Sequence, residues 1–306
     1  MMNVDAVKLS EIVMRDPFVY CDRERRKYFL FGTTLADGAG NVDPMFEVYE
    51  SGDLENFRGP QPAFLPPKGF WGVRNYWAPE VHFYRGRFYL FASFKGGIGV
   101  ERGTGILVSD LPEGPYVPHS PFHVTLRGHE CLDGTLHVEQ GRPWIVYCHE
   151  WTELYYGRIE ALPLSSDLTE PLSQEPVVIV DSAEIPWMRK FSDPRIGKEG
   201  YLTDGPFLRK TSSGSLVLLW SSYSRKGGGY RGGYTVAVAV SASGSVRGPW
   251  RQQEKLLLDE NCGHGSIFKD LEGNVRLCVH SPDTPHGSEH PCFYKLTEKD
   301  GTFAIV

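Results

Sequence analysis

Short apolar runs, separated by polar turn residues, recur along the whole chain of 306 residues. Each unit of the repeat opens at an acidic residue or a histidine and continues into an apolar strand, a turn and a second, strongly apolar strand. A third strand ends, in four units, at serine-containing turns. The openings are Asp16, Glu80, Asp133, Asp204 and His264, and the second strands lie at 28–31, 88–91, 144–147, 216–219 and 275–278.

The spacing of these units predicts an all-β, five-bladed β-propeller. The openings are separated by 64, 53, 71 and 60 residues, which suits one antiparallel blade per unit with one or two long loops. Helical periodicity is almost absent. Five blades fill the chain, so we expect residues 1–306 to form a single catalytic domain. Because blades stack around an axis, the five openings should converge on one face of the molecule.

Composition and charge narrow the partners that we expect. Aromatic residues make up 13% of the chain, and 34 glycines and 22 prolines provide turns for many short strands. The net charge of −6, without a basic arm, argues against nucleic-acid binding. No apolar run approaches a membrane span, and no signal peptide is evident, which predicts a cytoplasmic protein or a secreted one whose leader was removed. The six cysteines lack a CxxC pair and are expected to be free thiols.

Three of the openings are aspartates: Asp16, Asp133 and Asp204. Asp-Pro and Asp-Gly are common turn signals, which could explain any one of them. Three carboxyl groups at the same place in different blades would instead repel one another and separate their pKa values, as acid–base chemistry requires. We therefore expect these three residues to be catalytic.

Each unit also carries a short motif, and the five motifs follow one another in a recognisable order. They are Arg15-Asp16-Pro17, Tyr76-Trp77-Ala78-Pro79-Glu80, Leu132-Asp133-Gly134, Thr203-Asp204-Gly205-Pro206 and Gly263-His264-Gly265-Ser266. In this order the chain resembles glycoside hydrolase family 43, the five-bladed β-xylosidases, α-L-arabinofuranosidases and arabinanases. The resemblance implies an inverting glycosidase that acts on arabinofuranosyl or xylosyl oligosaccharides.

The same resemblance implies a role for each aspartate. Asp16 would be the general base, Asp133 would orient the acid and tune its pKa, and Asp204 would be the general acid. The family's acid is usually glutamate, and aspartate is one methylene shorter. Glu150 is therefore an alternative acid, and Glu130 is a further one.

The second and fifth motifs supply the expected substrate-binding residues Trp77, Glu80 and His264. Trp77 is either a platform for a sugar face or a packing residue between blades. The resemblance implies an axial calcium ion near His264, although a buried, hydrogen-bonded histidine explains the residue equally well. No cofactor is required for the chemistry. The glycine-rich residues 225–233 are predicted to be a hairpin loop that could cover the active face.

Two other functions fit parts of the sequence. Glu130-Cys131 resembles the acid/base element of retaining β-fructosidases, in which Asp16 would be the nucleophile, but the Asn-Asp-Pro-Asn-Gly type of opening is missing. A non-catalytic carbohydrate-binding propeller is the second possibility, because the acid position holds the shorter Asp204. The oligomeric state is not predicted.

Overall fold

The computed structural model describes residues 6–33, 45–225, 233–259 and 261–306. Five antiparallel sheets of four or five strands form the blades of a β-propeller, as the repeat predicts. The predicted hairpin loop at 225–233 lies largely outside the described residues. Among the residues described, no helix is long and apolar enough to span a membrane.

The strands follow the chain blade by blade. The first blade contains β1 (Val7–Lys8), β2 (Arg15–Asp22), β3 (Lys27–Thr33), β4 (Phe46–Ser51) and β5 (Asn56–Phe64). The second contains β6 (Arg74–Tyr84), β7 (Arg87–Lys95), β8 (Arg102–Ser109) and β9 (Val117–Pro118), and the third contains β10 (Cys131–Glu139), β11 (Arg142–His149), β12 (Arg158–Pro163) and β13 (Val177–Asp181).

A two-stranded hairpin, β14 (Phe191–Asp193) and β15 (Lys198–Gly200), precedes the fourth blade. That blade contains β16 (Asp204–Lys210), β17 (Leu216–Tyr223), β18 (Tyr234–Ser241) and β19 (Trp250–Gln252). The fifth contains β20 (Gly263–Lys269), β21 (Val275–Ser281), β22 (His290–Lys299) and β23 (Thr302–Ile305). The helical segments described are α1 (Trp151–Leu154) and two 3₁₀ turns, Leu9–Glu11 and Ser182–Glu184.

The second strand of each blade forms the centre of the core. The side chains of Phe29, Leu90, Ile145 and Leu218 are fully buried, because both faces of their sheets are covered by neighbouring blades. The apolar clusters accordingly lie between the blades and around the axis. None of the six cysteines, all of which lie in the described ranges, forms a disulfide bond, as the absence of a pairing motif predicts, and four of them are buried.

The innermost strand of each blade is interrupted by a β-bulge near its start. The antiparallel register of β2, β6, β10, β16 and β20 shifts at this point. One residue at each shift has a positive φ of 47° to 54°. These residues are Asp16, Ala78, Asp133, Gly205 and His264. A positive φ is uncommon outside glycine, so the same strained turn is built five times around the axis.

The bulges correct one expectation from the sequence. Asp204 pairs with Ser221 in the way that Arg15 pairs with Thr33, so Asp204 stands one residue before its bulge and Asp16 stands within its own. The prediction that the three aspartates occupy equivalent positions is therefore wrong for Asp204. Glu80, which follows the bulge of β6 and pairs with Phe91, is not equivalent to them either.

Side chains of the second strands hold the bulges in place. The N–H of Ala78 donates to Thr33 Oγ1 of the preceding blade at 2.8 Å, and the N–H of Asp133 donates to Ser93 Oγ at 2.7 Å. The equivalent bonds run from the N–H of His264 to Ser221 Oγ (2.8 Å) and from the N–H of Asp16 to His280 Nδ1 (3.2 Å). Each bulge of these four blades is thus fixed by the blade before it, and His280 closes the ring.

The fourth blade departs from this pattern. In the third blade, the position equivalent to the acceptor Ser93 is occupied by Cys148. Cys148 pairs with Leu132 just as Ser93 pairs with Trp77 in the second blade. A thiol is a weak acceptor. The N–H of Gly205 instead donates to the carboxylate of Asp133, at 3.2 Å from Oδ2. The exception ties the backbone beside Asp204 directly to another of the predicted catalytic residues.

Candidate active site

Asp16 is a carboxylate with 13% of its side chain exposed, surrounded by hydrogen-bond donors and positive charge. Its Oδ2 accepts a hydrogen bond from Thr33 Oγ1 at 2.8 Å, and its Oδ1 lies 3.2 Å from His264 Nδ1. Burial would by itself raise the pKa of this carboxyl. The electrostatic effect of His264, Arg15 and His280 outweighs the burial and lowers the pKa of Asp16 below its usual value. Asp16 is therefore a carboxylate at neutral pH.

Asp133 lies near the same nitrogen of His264, whose Nδ1 is 3.9 Å from Asp133 Oδ2. Ser93 Oγ donates to Oδ1 at 3.2 Å, and the N–H of Gly205 donates to Oδ2. Burial raises the pKa of Asp133 to about 6, and the charge of Asp16 acts in the same direction against the opposing effect of His264. Asp133 is therefore close both to His264, which contacts Asp16, and to Gly205, which follows Asp204.

Asp204 has the opposite character to Asp16. Burial raises its pKa well above the usual value, and the charges of Asp133 and Glu150 raise it further. The hydrogen bond from Tyr234 Oη to Asp204 Oδ2, 2.9 Å long, opposes this shift without cancelling it. Asp204 is therefore a protonated acid in surroundings where Asp16 is ionised.

Trp77 and the two alternative acids lie beside one arginine. The guanidinium carbon of Arg102 lies 4.7 Å from the centre of the Trp77 ring, and Arg102 Nη1 is paired with Glu150 Oε1. Glu130 is paired with Lys95 and accepts a hydrogen bond from the N–H of Arg102. Both glutamates are thus held by cations. Glu150 also acts on Asp204, because its negative charge contributes to the raised pKa of Asp204.

Glu80 points to a different set of partners. Its Oε2 accepts a hydrogen bond from Thr135 Oγ1 at 2.6 Å and lies 3.1 Å from His82 Nε2. The side chain is buried, and its described contacts join the second blade to the third. A role in substrate binding for Glu80 remains a prediction, as do those of Trp77 and His264.

His264 is surrounded by carboxylates in a way that bears on the expected calcium ion. Its Nδ1 lies 3.2 Å from Asp16 Oδ1 and 3.9 Å from Asp133 Oδ2, so that this nitrogen is directed at carboxylate oxygens. Calcium is bound by about six to eight oxygen atoms. A histidine nitrogen directed at carboxylates does not provide an oxygen ligand. The axial calcium remains a prediction, and no step below depends on it.

Several functional residues were not found from the sequence. Arg15 lies in the first motif, yet its role emerges only from its ion pairs with Asp283 (3.0 Å) and Glu289 (3.0 Å) of the fifth blade. His280 and Tyr234, which contact Asp16 and Asp204, stand outside every motif. A signal for His280 was present, because Thr33, Ser93 and Ser221 occupy the same pairing position near the end of the second strand in other blades.

Comparison with known proteins tests the resemblance that the five motifs suggested. The sequence model of Glycosyl hydrolases family 43 matches residues 9–303, which confirms the resemblance carried by the five motifs. The chain is similar to the crystal structure of an endo-arabinase from Bacteroides thetaiotaomicron VPI-5482, with 36% identity and a TM-score of 0.88. That similarity covers 98% of this chain and 99% of the other.

Two curated proteins are also similar. The extracellular endo-alpha-(1->5)-L-arabinanase 1 of Bacillus subtilis (strain 168) is 23% identical over 164 residues, which are 49% of this chain and 48% of that protein. The extracellular exo-alpha-(1->5)-L-arabinofuranosidase ArbA of Cellvibrio japonicus (strain Ueda107) is 24% identical over 87% of this chain and 73% of its own length. Because both relatives are extracellular, the prediction of a cytoplasmic protein is wrong.

Proposed function

The chain belongs to the glycosyl hydrolases family 43, and from that premise we propose that it hydrolyses α-1,5-linked L-arabinofuranosyl chains with inversion of configuration. The endo-arabinase with 36% identity supports arabinan over xylan as the substrate. The two curated relatives, which are named for α-1,5-linked arabinose, support the same choice.

The observation that carries the proposed mechanism is the opposite displacement of two pKa values in one cluster. The pKa of Asp16 is lowered, whereas burial and neighbouring charge raise that of Asp204. An inverting glycosidase needs one ionised carboxylate as base and one protonated carboxyl as acid. Asp16 and Asp204 meet these requirements at the same pH, so that Asp16 can act as the base and Asp204 as the acid.

In the proposed reaction, Asp16 removes a proton from a water molecule that attacks the anomeric carbon. Asp204 donates its proton to the leaving glycosidic oxygen on the opposite side of the sugar, and the bond between that oxygen and the anomeric carbon breaks. The two carboxyl groups of such enzymes are about 6.5–9.5 Å apart, which leaves room for the water. Exchange with solvent then returns a proton to Asp204 and removes one from Asp16.

The neighbours of the two carboxyl groups maintain this division. Asp133 keeps Asp204 protonated through its negative charge and holds the adjacent backbone through the N–H of Gly205. His264 stabilises the ionised form of Asp16 from a distance of 3.2 Å.

The first experiment determines the substrate and the stereochemistry. A linear α-1,5-arabino-oligosaccharide and a β-1,4-xylo-oligosaccharide are offered to the enzyme, and NMR follows the anomer that forms first. We expect turnover of the arabinan substrate with an inverted first product. A retained first product, or preferential turnover of the xylan substrate, would contradict the proposal.

A second experiment separates the acid from the base. Protonation of the leaving oxygen matters less for an activated aryl group than for a sugar. We expect Asp204→Asn to lose about 10²–10⁴-fold in kcat on the oligosaccharide and far less on an aryl arabinofuranoside. Asp16→Asn should lose activity on both, and the exposed Asp110→Asn on neither. Equal losses in Asp204→Asn on both substrates would refute its assignment.

Glu150→Gln tests the alternative acid in the same assay. Its charge raises the pKa of Asp204, so we expect this variant to keep oligosaccharide turnover and to move the alkaline limb of kcat to lower pH. If Glu150 were the acid, the variant would instead reproduce the dependence on the leaving group.

A further inference from the structure

Two histidines and a glutamate lie close together outside the catalytic cluster. They lie at the end of the third blade where β10 begins and β11 ends. His129 precedes β10, His149 ends β11, and Glu153 lies four residues further, in α1. One ligand atom from each of these residues lies within 4.8 Å of the other two. We refer to His129, His149 and Glu153 as the His–His–Glu cluster.

The distances within the cluster suit a small divalent metal. His149 Nε2 lies 3.4 Å from Glu153 Oε2, and His129 Nδ1 lies 2.8 Å from Glu153 Oε1. Two ligands about 2.0–2.2 Å from a tetrahedral zinc ion are themselves separated by about 3.4 Å. Small side-chain adjustments would therefore place all three residues around one ion.

One ligand atom is buried and unsatisfied. The side chain of His149 is 6% exposed, and its Nε2 has no hydrogen-bond partner within the described part of the chain. A buried nitrogen that makes no hydrogen bond costs free energy that a ligand would recover. This atom points towards Glu153, the residue that would share the ion with it.

The other nitrogen of His149 is held by a buried carboxylate. Its Nδ1 lies 3.3 Å from both carboxylate oxygens of Glu160, and Tyr147 Oη donates to Glu160 Oε2 at 3.1 Å. A carboxylate bonded to the second nitrogen is the usual support of a metal-binding histidine, because it fixes the tautomer and turns the free nitrogen to the ion. Glu160 supplies that support to His149.

We propose that the His–His–Glu cluster binds a divalent transition metal of the zinc class. His129, His149 and Glu153 provide three ligands, and water occupies the position open to solvent. Imidazole and carboxylate together favour zinc over calcium, which would require oxygen ligands throughout.

The ion would stabilise the loops that serve the active site. Glu153 Oε2 accepts a hydrogen bond from the N–H of Glu130 at 2.9 Å, and the N–H of Glu150 donates to the carbonyl of Glu130 at 2.9 Å. Glu130 and Glu150 both contact Arg102. Metal binding would therefore fix the segments that place Arg102 beside Trp77, without taking part in bond cleavage.

The test measures metal binding and not activity. Full-length protein without a histidine tag is freed of metal with a chelator and titrated with Zn²⁺ by calorimetry. Co²⁺, which gives a visible spectrum in histidine sites, is the second probe. We expect micromolar or tighter binding of one equivalent of Zn²⁺, a rise in thermal midpoint, and no displacement of Co²⁺ by excess Ca²⁺.

Variants assign the ion to the cluster. Glu153→Gln and His129→Gln alter partly exposed side chains and should weaken Zn²⁺ binding by at least about tenfold, and Tyr147→Phe should weaken it by about 10–100-fold through Glu160. His119→Gln is the matched control, because the side chain of that partly exposed histidine bonds only to the Asp167 carbonyl among the side-chain hydrogen bonds described. Millimolar binding by the unaltered protein, or equal binding by Glu153→Gln and His129→Gln, would overturn the proposal.

Discussion

Thr33 offers the sharpest test of how Asp16, the proposed general base, is kept ionised. Its hydroxyl donates to Asp16 Oδ2 at 2.8 Å and accepts the N–H of Ala78 at 2.8 Å. Thr33→Val preserves the shape of the side chain and removes both bonds. Because Thr33 is buried, water does not readily replace them.

The size of the effect follows from these two bonds. A hydrogen bond to a charged group contributes about 1.5–3 kcal/mol, and a neutral carboxyl would retain part of it. If about 1.4 kcal/mol of the difference favours the ionised form, its loss raises the pKa of Asp16 by about one unit. The unpaired N–H of Ala78 costs stability of about 1–3 kcal/mol in addition.

The assay is the pH dependence of kcat/KM, which reports ionisations of the free enzyme. The lowered pKa of Asp16 places its ionisation at the acidic limb, so we expect Thr33→Val to move that limb up by about one pH unit. Thr33→Ser retains the hydroxyl and is the matched control, with an unmoved limb. A folded Thr33→Val enzyme with an unchanged acidic limb would refute the role given to this bond.

Three further changes test other parts of the structure. Arg15→Met leaves the buried Asp283 and Glu289 without their cation, and urea unfolding should show a loss of about 3–5 kcal/mol, whereas a loss under 1 kcal/mol would contradict a structural role for the pair. The pKa of Asp133, raised from 3.8 to about 6, makes the folded chain bind a proton that the unfolded chain releases, so stability falls as pH rises through this window. Asp133→Asn should be inactive yet more stable than the unaltered protein at pH 7, by up to about 3 kcal/mol, with the advantage falling below about 1 kcal/mol at pH 4. Trp77→Ala should raise KM more than it lowers kcat if the ring binds sugar, and change stability alone if it only packs on Arg102.

The blade repeat could be predicted because it depends on local signals. The second strands are continuous apolar runs between turn residues, and burial by neighbouring blades on both faces explains that pattern. The fourth strand of each blade was missed. The fourth strand of the second blade, Val117–Pro118, has two residues, and both are exposed. Such a short edge strand shows no apolar alternation from which it could be predicted.

The catalytic cluster could be predicted only in part. Asp16, Asp133 and Asp204 stood out because each lies in a turn-like motif at the start of a blade. The register of the bulges was not visible, since a positive φ at Asp16 or His264 leaves no mark in composition. Partners such as Tyr234 and His280 come from other blades, so their roles depend on packing that the sequence does not display.

The hydrogen bonds that fix the bulges between blades do not depend on which side chains the bulge residues carry. Thr33, Ser93, Ser221 and His280 each accept a backbone N–H, which every residue except proline possesses. The side chain on the bulge does not take part in that bond, and the five bulge residues are accordingly aspartate, alanine, aspartate, glycine and histidine. Evolution, or a protein engineer, can therefore exchange the bulge residues of the other blades while the acceptors of the preceding blades preserve the geometry in which new functional groups are presented. Asp133 is the exception, because its own carboxylate accepts the N–H of the next bulge residue, Gly205.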